Sequence, residues 1–305
     1  MRSFPPLPDV HGPQAAEGLL TGHLWLLELI DGTGLRFRMD DSGLLRFGDP
    51  ETTFAGPEAV PVALRPAVRA VRERFDREAL REAVDDPEEV VFFGVATHHL
   101  GTDYDWDRIP AFLGTDVWIG EREGPDSDAG AFRPPDAAAA IFEGVGLAPV
   151  NAVEREVNAR DFDPEGYAVP RSAWRDGPAA GVVVRNKRGG RGKLLVGDET
   201  TAASENGAGG DRDGPDADGP DTGDLDADDP EAIAARYATD DRFDRVVEGI
   251  ERRGEAATVD PIADRVVEAI ARETPVRFGD GGGSADPERV RAAVIERARA
   301  VFEGR

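Results

Sequence analysis

From Gly197 to Asp229 the chain runs through Gly, Asp, Ser, Thr and Pro with one large apolar side chain, Leu225. Such a stretch cannot bury enough surface to offset the entropy of ordering it, so the sequence predicts a disordered acidic linker over 197–229. It separates a body, residues 1–196, rich in short apolar runs, from a tail, residues 230–305, with helical periodicity. A chain of 305 residues has room for two such domains.

In the body, Leu24–Ile30 and Leu35–Arg38 read as strands joined by a turn at Asp31-Gly32-Thr33-Gly34. A second turn, Met39-Asp40-Asp41-Ser42-Gly43, leads to a third strand, Leu44–Phe47. Pro66 through Val84 reads as one helix with Val68, Val71, Phe75 and Leu80 near one face. Val90–Phe93, Phe112–Ile119, Pro149–Val157 and the β-branched Gly181–Asn186 are further strands, and Pro135–Val145 is a helix. The fold class is therefore α+β with mainly antiparallel sheets, plus a small helical C-terminal domain. In that tail, Asp229-Pro230, Asp260-Pro261 and Asp286-Pro287 each pair a capping residue with a proline suited to the first helical position. Apolar faces at Phe243/Val246/Val247/Ile250, Ile262/Val266/Val267/Ile270 and Val290/Val294/Ala298/Phe302 predict three or four helices. A unit of this size buries little alone and is expected to pack on the body.

Zero cysteines exclude disulfides, a thiol nucleophile and a Cys-based zinc site. No run of 18 apolar residues is present, and Met1-Arg2-Ser3-Phe4-Pro5-Pro6 lacks the apolar core of a secretory signal. A cytoplasmic protein without membrane contact is expected. The 61 acidic and 36 basic residues leave a formal charge of −25, and only Lys187 and Lys193 are lysines. An acidic, lysine-poor surface suits a halophilic protein in molar salt, where the Debye length is about 3 Å and self-repulsion is screened. Salt also weakens phosphate contacts, so nucleic-acid binding there would rest more on hydrogen bonds and stacking. An acidic protein that avoids nucleic acid is an equal alternative on charge alone. Both lysines fall within Arg185-Asn186-Lys187-Arg188-Gly189-Gly190-Arg191-Gly192-Lys193, five bases in nine residues with no acid. A basic, glycine-containing segment suits phosphate contact, and it equally suits a hairpin that balances nearby carboxylates.

Three segments, in order, carry a resemblance. The first is Glu28-Leu29-Ile30-Asp31-Gly32 followed by Arg36. The second runs Phe92-Phe93-Gly94-Val95-Ala96-Thr97-His98-His99 through Tyr104 and Pro110 to Phe112-Leu113-Gly114-Thr115-Asp116-Val117-Trp118. The third is Ala180-Gly181-Val182-Val183-Val184-Arg185-Asn186, with Lys193-Leu194 beyond. Together they resemble the nucleotidyltransferase (ATP-grasp-like) core of ATP-dependent RNA ligases, matching motifs I, III with IIIa, and IV with V. The resemblance covers roughly residues 1–196. It implies that fold, ATP and Mg²⁺ as cofactors, and RNA 5′-phosphate and 3′-hydroxyl ends as partners. In such ligases a lysine amine attacks the α-phosphate of ATP, AMP passes to an RNA 5′-phosphate, and a 3′-hydroxyl displaces it.

The sequence departs from that pattern at the reactive positions. Leu29 stands at the nucleophile, and Val95 and Ala180 stand at two glutamates. No catalytic residue is assigned and no metal ligands are named. The supporting groups kept are Glu28, Asp31, Gly32, Arg36, Gly94, Asp116, Arg185 and Lys193. The resemblance assigns nucleotide or phosphate contact to Glu28, Asp31, Gly32, Arg36, Arg185, Lys187 and Lys193. It implies a ligase-like pseudoenzyme that binds a nucleotide or RNA ends, with Leu29, Val95 and Ala180 around one pocket facing Arg36 and Lys193. An active ligase using Lys187 or Lys193, and a protein-interaction scaffold, are the alternatives. On a strand His98 and His99 would face opposite sides, which suits structural roles better than a metal pair. Asp103, Asp105 and Asp107 alternate as on one strand face and read as solvated surface before they read as a cation site.

Overall fold

The structure is a computed structural model that describes residues 1–12, 18–120, 130–195, 229–279 and 283–303. The stretch expected to be a linker lies outside the described residues, apart from Asp229. The chain divides into two compact units, Met1–Val60 with Leu64–Thr200, and Pro61–Ala63 with Thr201–Arg305.

In chain order, the first unit contains β1 (His23–Glu28), β2 (Gly32–Met39), β3 (Leu45–Gly48), helices α1 (Arg65–Arg74) and α2 (Arg77–Ala83), and β4 (Val90–Thr97). It continues with β5 (Phe112–Gly120), β6 (Gly130–Phe132), α3 (Pro135–Gly144), β7 (Ala152–Asn158), β8 (Gly181–Asn186) and β9 (Arg191–Leu195). The strands form a four-stranded sheet, β7-β1-β8-β9, and a five-stranded sheet, β3-β2-β4-β5-β6. Every named pair in both is antiparallel.

Period-two alternation explains how the layers meet. In β1, Leu24 and Leu26 join Leu19, Val182, Val184 and Leu194 in one apolar cluster. Trp25 and Leu27 face the other way, into a cluster holding Leu113 and Val95 of the five-stranded sheet. The two sheets thus share a face. On its opposite face the five-stranded sheet packs Leu35, Phe37, Met39 and Phe92 against Val68, Val71, Phe75 and Leu80 and against Phe142 of α3. Phe37 and Phe92 stack there with ring centroids 4.9 Å apart.

Two local expectations are corrected. Asp31–Gly34 is not a hairpin: β1 and β2 belong to different sheets, and Leu29–Asp31 carries the chain from one to the other. Gly32 makes the crossing possible. Its φ is +149°, and a Cβ there would lie 2.3 Å from the Ala96 carbonyl oxygen. The helix expected over 66–84 is two helices, because the Asp76 carboxylate accepts from the Glu78 and Ala79 N–H groups and caps a new start. The apolar face itself continues across the break.

The second unit contains α4 (Pro230–Tyr237), α5 (Asp240–Glu251), α6 (Val259–Glu273) and α7 (Pro287–Glu303). Phe243, Ile250, Ile262, Val266, Ile270, Val290, Val294 and Ala298 are buried in its own core. Asp229 caps α4 by accepting from Glu231 N–H, and Asp286 accepts from Glu288 N–H and Arg289 N–H at the start of α7. Asp260 is not a cap; α6 begins one residue earlier, at Val259. No helix among the described residues is long and apolar enough to cross a membrane.

Candidate functional site

The three resembling segments meet where the sheets share their face. The Leu29 N–H donates to the Gly181 carbonyl at 3.0 Å, so Leu29 lies against the start of β8, next to Ala180. Val95 packs in the same apolar cluster as Leu27 and Ile30, and its Cγ1 would be 2.7 Å from a Cβ on Gly32. Leu29, Val95 and Ala180, all half-buried, therefore gather around the Leu29–Asp31 crossing. None of the three side chains carries a nucleophile or an acid.

The retained groups around the crossing hold the backbone. Glu28 is buried, and its carboxylate accepts from Ser172 Oγ at 2.5 Å, Asn151 Nδ2 at 2.8 Å and Ala173 N–H at 3.1 Å. Asn151 Oδ1 in turn accepts from Trp174 Nε1 at 3.0 Å. The Asp31 N–H donates to the Tyr104 hydroxyl at 2.9 Å, and the Asp31 carboxylate accepts from Thr102 N–H at 3.0 Å. Burial, with the Asp31 and Glu28 charges adding to it, pushes the Tyr104 phenol up to about 12. Thr33 Oγ1 and His98 Nε2 lie 2.8 Å apart. His98 and His99 follow β4 rather than extending it, and Asp103, Asp105 and Asp107 lie in a loop and turn, not on a strand.

The basic cluster divides in two directions. Across the four-stranded sheet, Trp25, Arg185 and Arg191 are in register, as are Leu27, Val183 and Lys193. Directly opposed residues share a face, so both rows look toward the five-stranded sheet. Arg185 and Arg191 are buried and grip one carboxylate, with Asp116 Oδ1 2.9 Å from Arg185 Nη2 and 2.7 Å from Arg191 Nη1. Arg185 also donates to the Thr115 carbonyl at 2.8 Å, and its burial lowers its pKa against the pull of Asp116. Lys187 sits in the β8–β9 turn between Glu156 at 2.8 Å and Asp136 at 3.1 Å. Hydrogen bonds to those carboxylates hold its ammonium above the ordinary lysine range, which opposes the deprotonation that attack on phosphorus requires.

Lys193 differs. It is half-buried on the shared face, and its ammonium has no hydrogen-bond or carboxylate partner among the described residues. Arg36 stands on the facing sheet. It is opposite Phe93, two positions along from Gly34 opposite Val95, and is buried, with Nη1 donating to the Arg2 carbonyl at 3.0 Å. Its Nε has no hydrogen-bond partner among the described residues, and burial lowers its pKa while Asp49 opposes the shift.

These donors do not fit a Mg²⁺ site. Glu28 already accepts from three donors, Asp116 Oδ1 from two guanidinium groups, and Asp31 from Thr102 N–H. Among the described residues no group of three or more His, Cys, Asp or Glu could hold a metal ion. Asn151, Ser172, Thr102 and the Asp116–Arg191 pairing carry no signal in the sequence, since each is an ordinary polar residue brought in by a distant loop or strand. The alternation of Arg191 and Lys193 on one strand is the single pattern that could have put Arg191 on the shared face.

No protein-family profile matches the chain, and no curated protein matches it. RNA ligases are among the solved structures similar to it. A Naegleria gruberi RNA ligase variant with ATP and Mn matches at 11% identity over 65% of this chain and 56% of that one, with a TM-score of 0.48. An archaeal ATP-dependent RNA ligase matches at 14% identity over 100% of this chain and 67% of that one, with a TM-score of 0.42. The chain spans little more than half of the Naegleria protein.

Proposed function

We propose that the first unit binds a nucleotide or a phosphorylated RNA end between its sheets and does not form a lysyl-adenylate. The observation that carries this is Lys193, a lysine on the shared face with no carboxylate partner among the described residues. An ammonium with no carboxylate partner among the described residues favours an anionic ligand, because a phosphate oxygen supplies a charge-assisted hydrogen bond. The crossing offers Leu29, Val95 and Ala180, which can pack against a base or ribose but cannot attack phosphorus or hold Mg²⁺. Lys187 and Arg185 serve the frame, since their charges are spent on Asp136, Glu156 and Asp116.

The unpaired lysine also favours a second reading, an active ligase with Lys193 as nucleophile. Intact-mass measurement after incubation with ATP and Mg²⁺ in high salt separates the two. No mass gain is expected, and gain of one AMP on Lys193 establishes the second reading. Binding of a 5′-phosphorylated oligoribonucleotide is then measured for the native chain and for Lys193→Gln. Loss of one charge-assisted contact, about 1.5–3 kcal/mol, predicts roughly 10- to 150-fold weaker binding. Equal binding by both removes Lys193 from the site, and binding by neither transfers the weight to a scaffold without nucleotide or RNA.

A further inference from the structure

The segment Met1–Val10 runs along the shared face that the proposed ligand would occupy. The Arg2 carbonyl takes the hydrogen bond of the buried Arg36 Nη1 at 3.0 Å. The Phe4 ring meets Phe93 edge-on, centroids 5.1 Å apart, in the hollow left by Gly34, where a Cβ would come within 2.9 Å of that ring. The Arg2 guanidinium lies 3.9 Å over the Trp118 ring. Farther along, the Pro8 carbonyl accepts from Lys193 N–H at 2.8 Å, and Val10 N–H donates to the Lys193 carbonyl at 2.9 Å. The segment thus bridges Arg36 and Lys193, which lie on the facing sides of the two sheets.

Its hold is light. Pro5, Pro6 and Pro8 have no N–H to give a neighbouring strand, so the segment cannot form a full ladder with β9. Their fixed φ angles keep it extended whether docked or released, which lowers the entropy gap between those states. Among the described residues Arg36 Nε has no partner although the residue is only 5% exposed, so one carbonyl oxygen leaves this guanidinium incompletely satisfied. An oxyanion offers two acceptors in the guanidinium plane where a carbonyl offers one oxygen.

We infer that Met1–Val10 is a displaceable strap: the Phe4 ring and the Arg2 carbonyl hold the place of a planar ring and an anionic oxygen, and a ligand carrying both expels them. This rests on the nucleotide or RNA-end binding proposed above. It makes that binding a competition in which the apparent affinity is reduced by the fraction of chains with the strap docked.

The test compares the native chain with the Arg2→Ala/Phe4→Ala double variant, and with a chain lacking residues 1–6. Binding of ATP and of a 5′-phosphorylated oligoribonucleotide is measured in high salt, alongside hydrogen exchange at the Val10 and Lys193 amides. The expected result is about tenfold tighter binding in the altered chains. In the native chain, added ligand should speed exchange at Val10 and at Lys193, whose amide bonds to the strap. Should the shortened chain not fold, the double variant, which keeps every backbone atom, carries the same comparison. Equal affinity in all forms with unchanged exchange overturns the strap while leaving the binding proposal intact. Absence of binding in every form removes the binding proposal instead, and leaves Met1–Val10 as a fixed edge of the sheet.

Discussion

At Gly32 a single missing side chain lets the chain change sheets. A Cβ there meets a carbonyl oxygen at 2.3 Å in a backbone conformation that L-residues avoid. Gly32→Ala should therefore cost at least about 2 kcal/mol, read as a shift of the urea midpoint at unchanged slope. Asp116 poses the opposite problem, one carboxylate serving two buried guanidinium groups. Asp116→Asn leaves both uncompensated and should destabilise by about 3–5 kcal/mol, checked by chemical denaturation. Tyr104 gives a pH signature. Its folded pKa, about 12, lies above the unfolded value of 10.0. The unfolded chain thus gives up that proton first as pH rises. Its contribution is complete below pH 10 and is lost through pH 12, at about 1.4 kcal/mol per pH unit within that window. Tyr104→Phe should start less stable at neutral pH, because the Asp31 N–H loses its acceptor, and should lack that alkaline decline in stability.

Among the elements, those with strong periodicity were legible in the sequence, and those set by distant contacts were not. The β-branched run Gly181–Asn186 is β8 residue for residue, and the apolar face of Val68, Val71, Phe75 and Leu80 is buried as its spacing implies. The break at Asp76 escaped because a cap is a local competition that apolar periodicity does not register. Asp76→Ala should cost about 1 kcal/mol, within 0.5–2, measured as a shift in thermal or urea midpoint. β6 and β9 are short and polar or glycine-bearing, so only their partners β5 and β8 define them. The site follows the same rule. The order of the three segments was legible in the sequence, whereas the donors to Glu28 come from residues 151, 172 and 173, more than a hundred positions away.

Over the whole molecule the dominant quantity is a formal charge of −25. At low salt that charge opposes compaction, and at molar salt the screening length falls to about 3 Å. The thermal midpoint followed by circular dichroism should climb steadily between about 0.1 and 2 M KCl, through the range where the Debye length shrinks from about 10 Å. A flat response would mean that repulsion among the excess carboxylates does not limit stability. Ion pairs such as those of Lys187 with Asp136 and Glu156 oppose the trend locally, because salt weakens exposed pairs.

The Leu29–Asp31 crossing behaves like the spine of a bound book. Its two ends are stitched down, Leu29 to Gly181 and Asp31 to Tyr104, and the sheets hang from it as covers. Covers sewn so closely cannot part at the spine, so whatever slips between them must come from the fore-edge. That is where the pages are held shut by ten residues, three of them prolines.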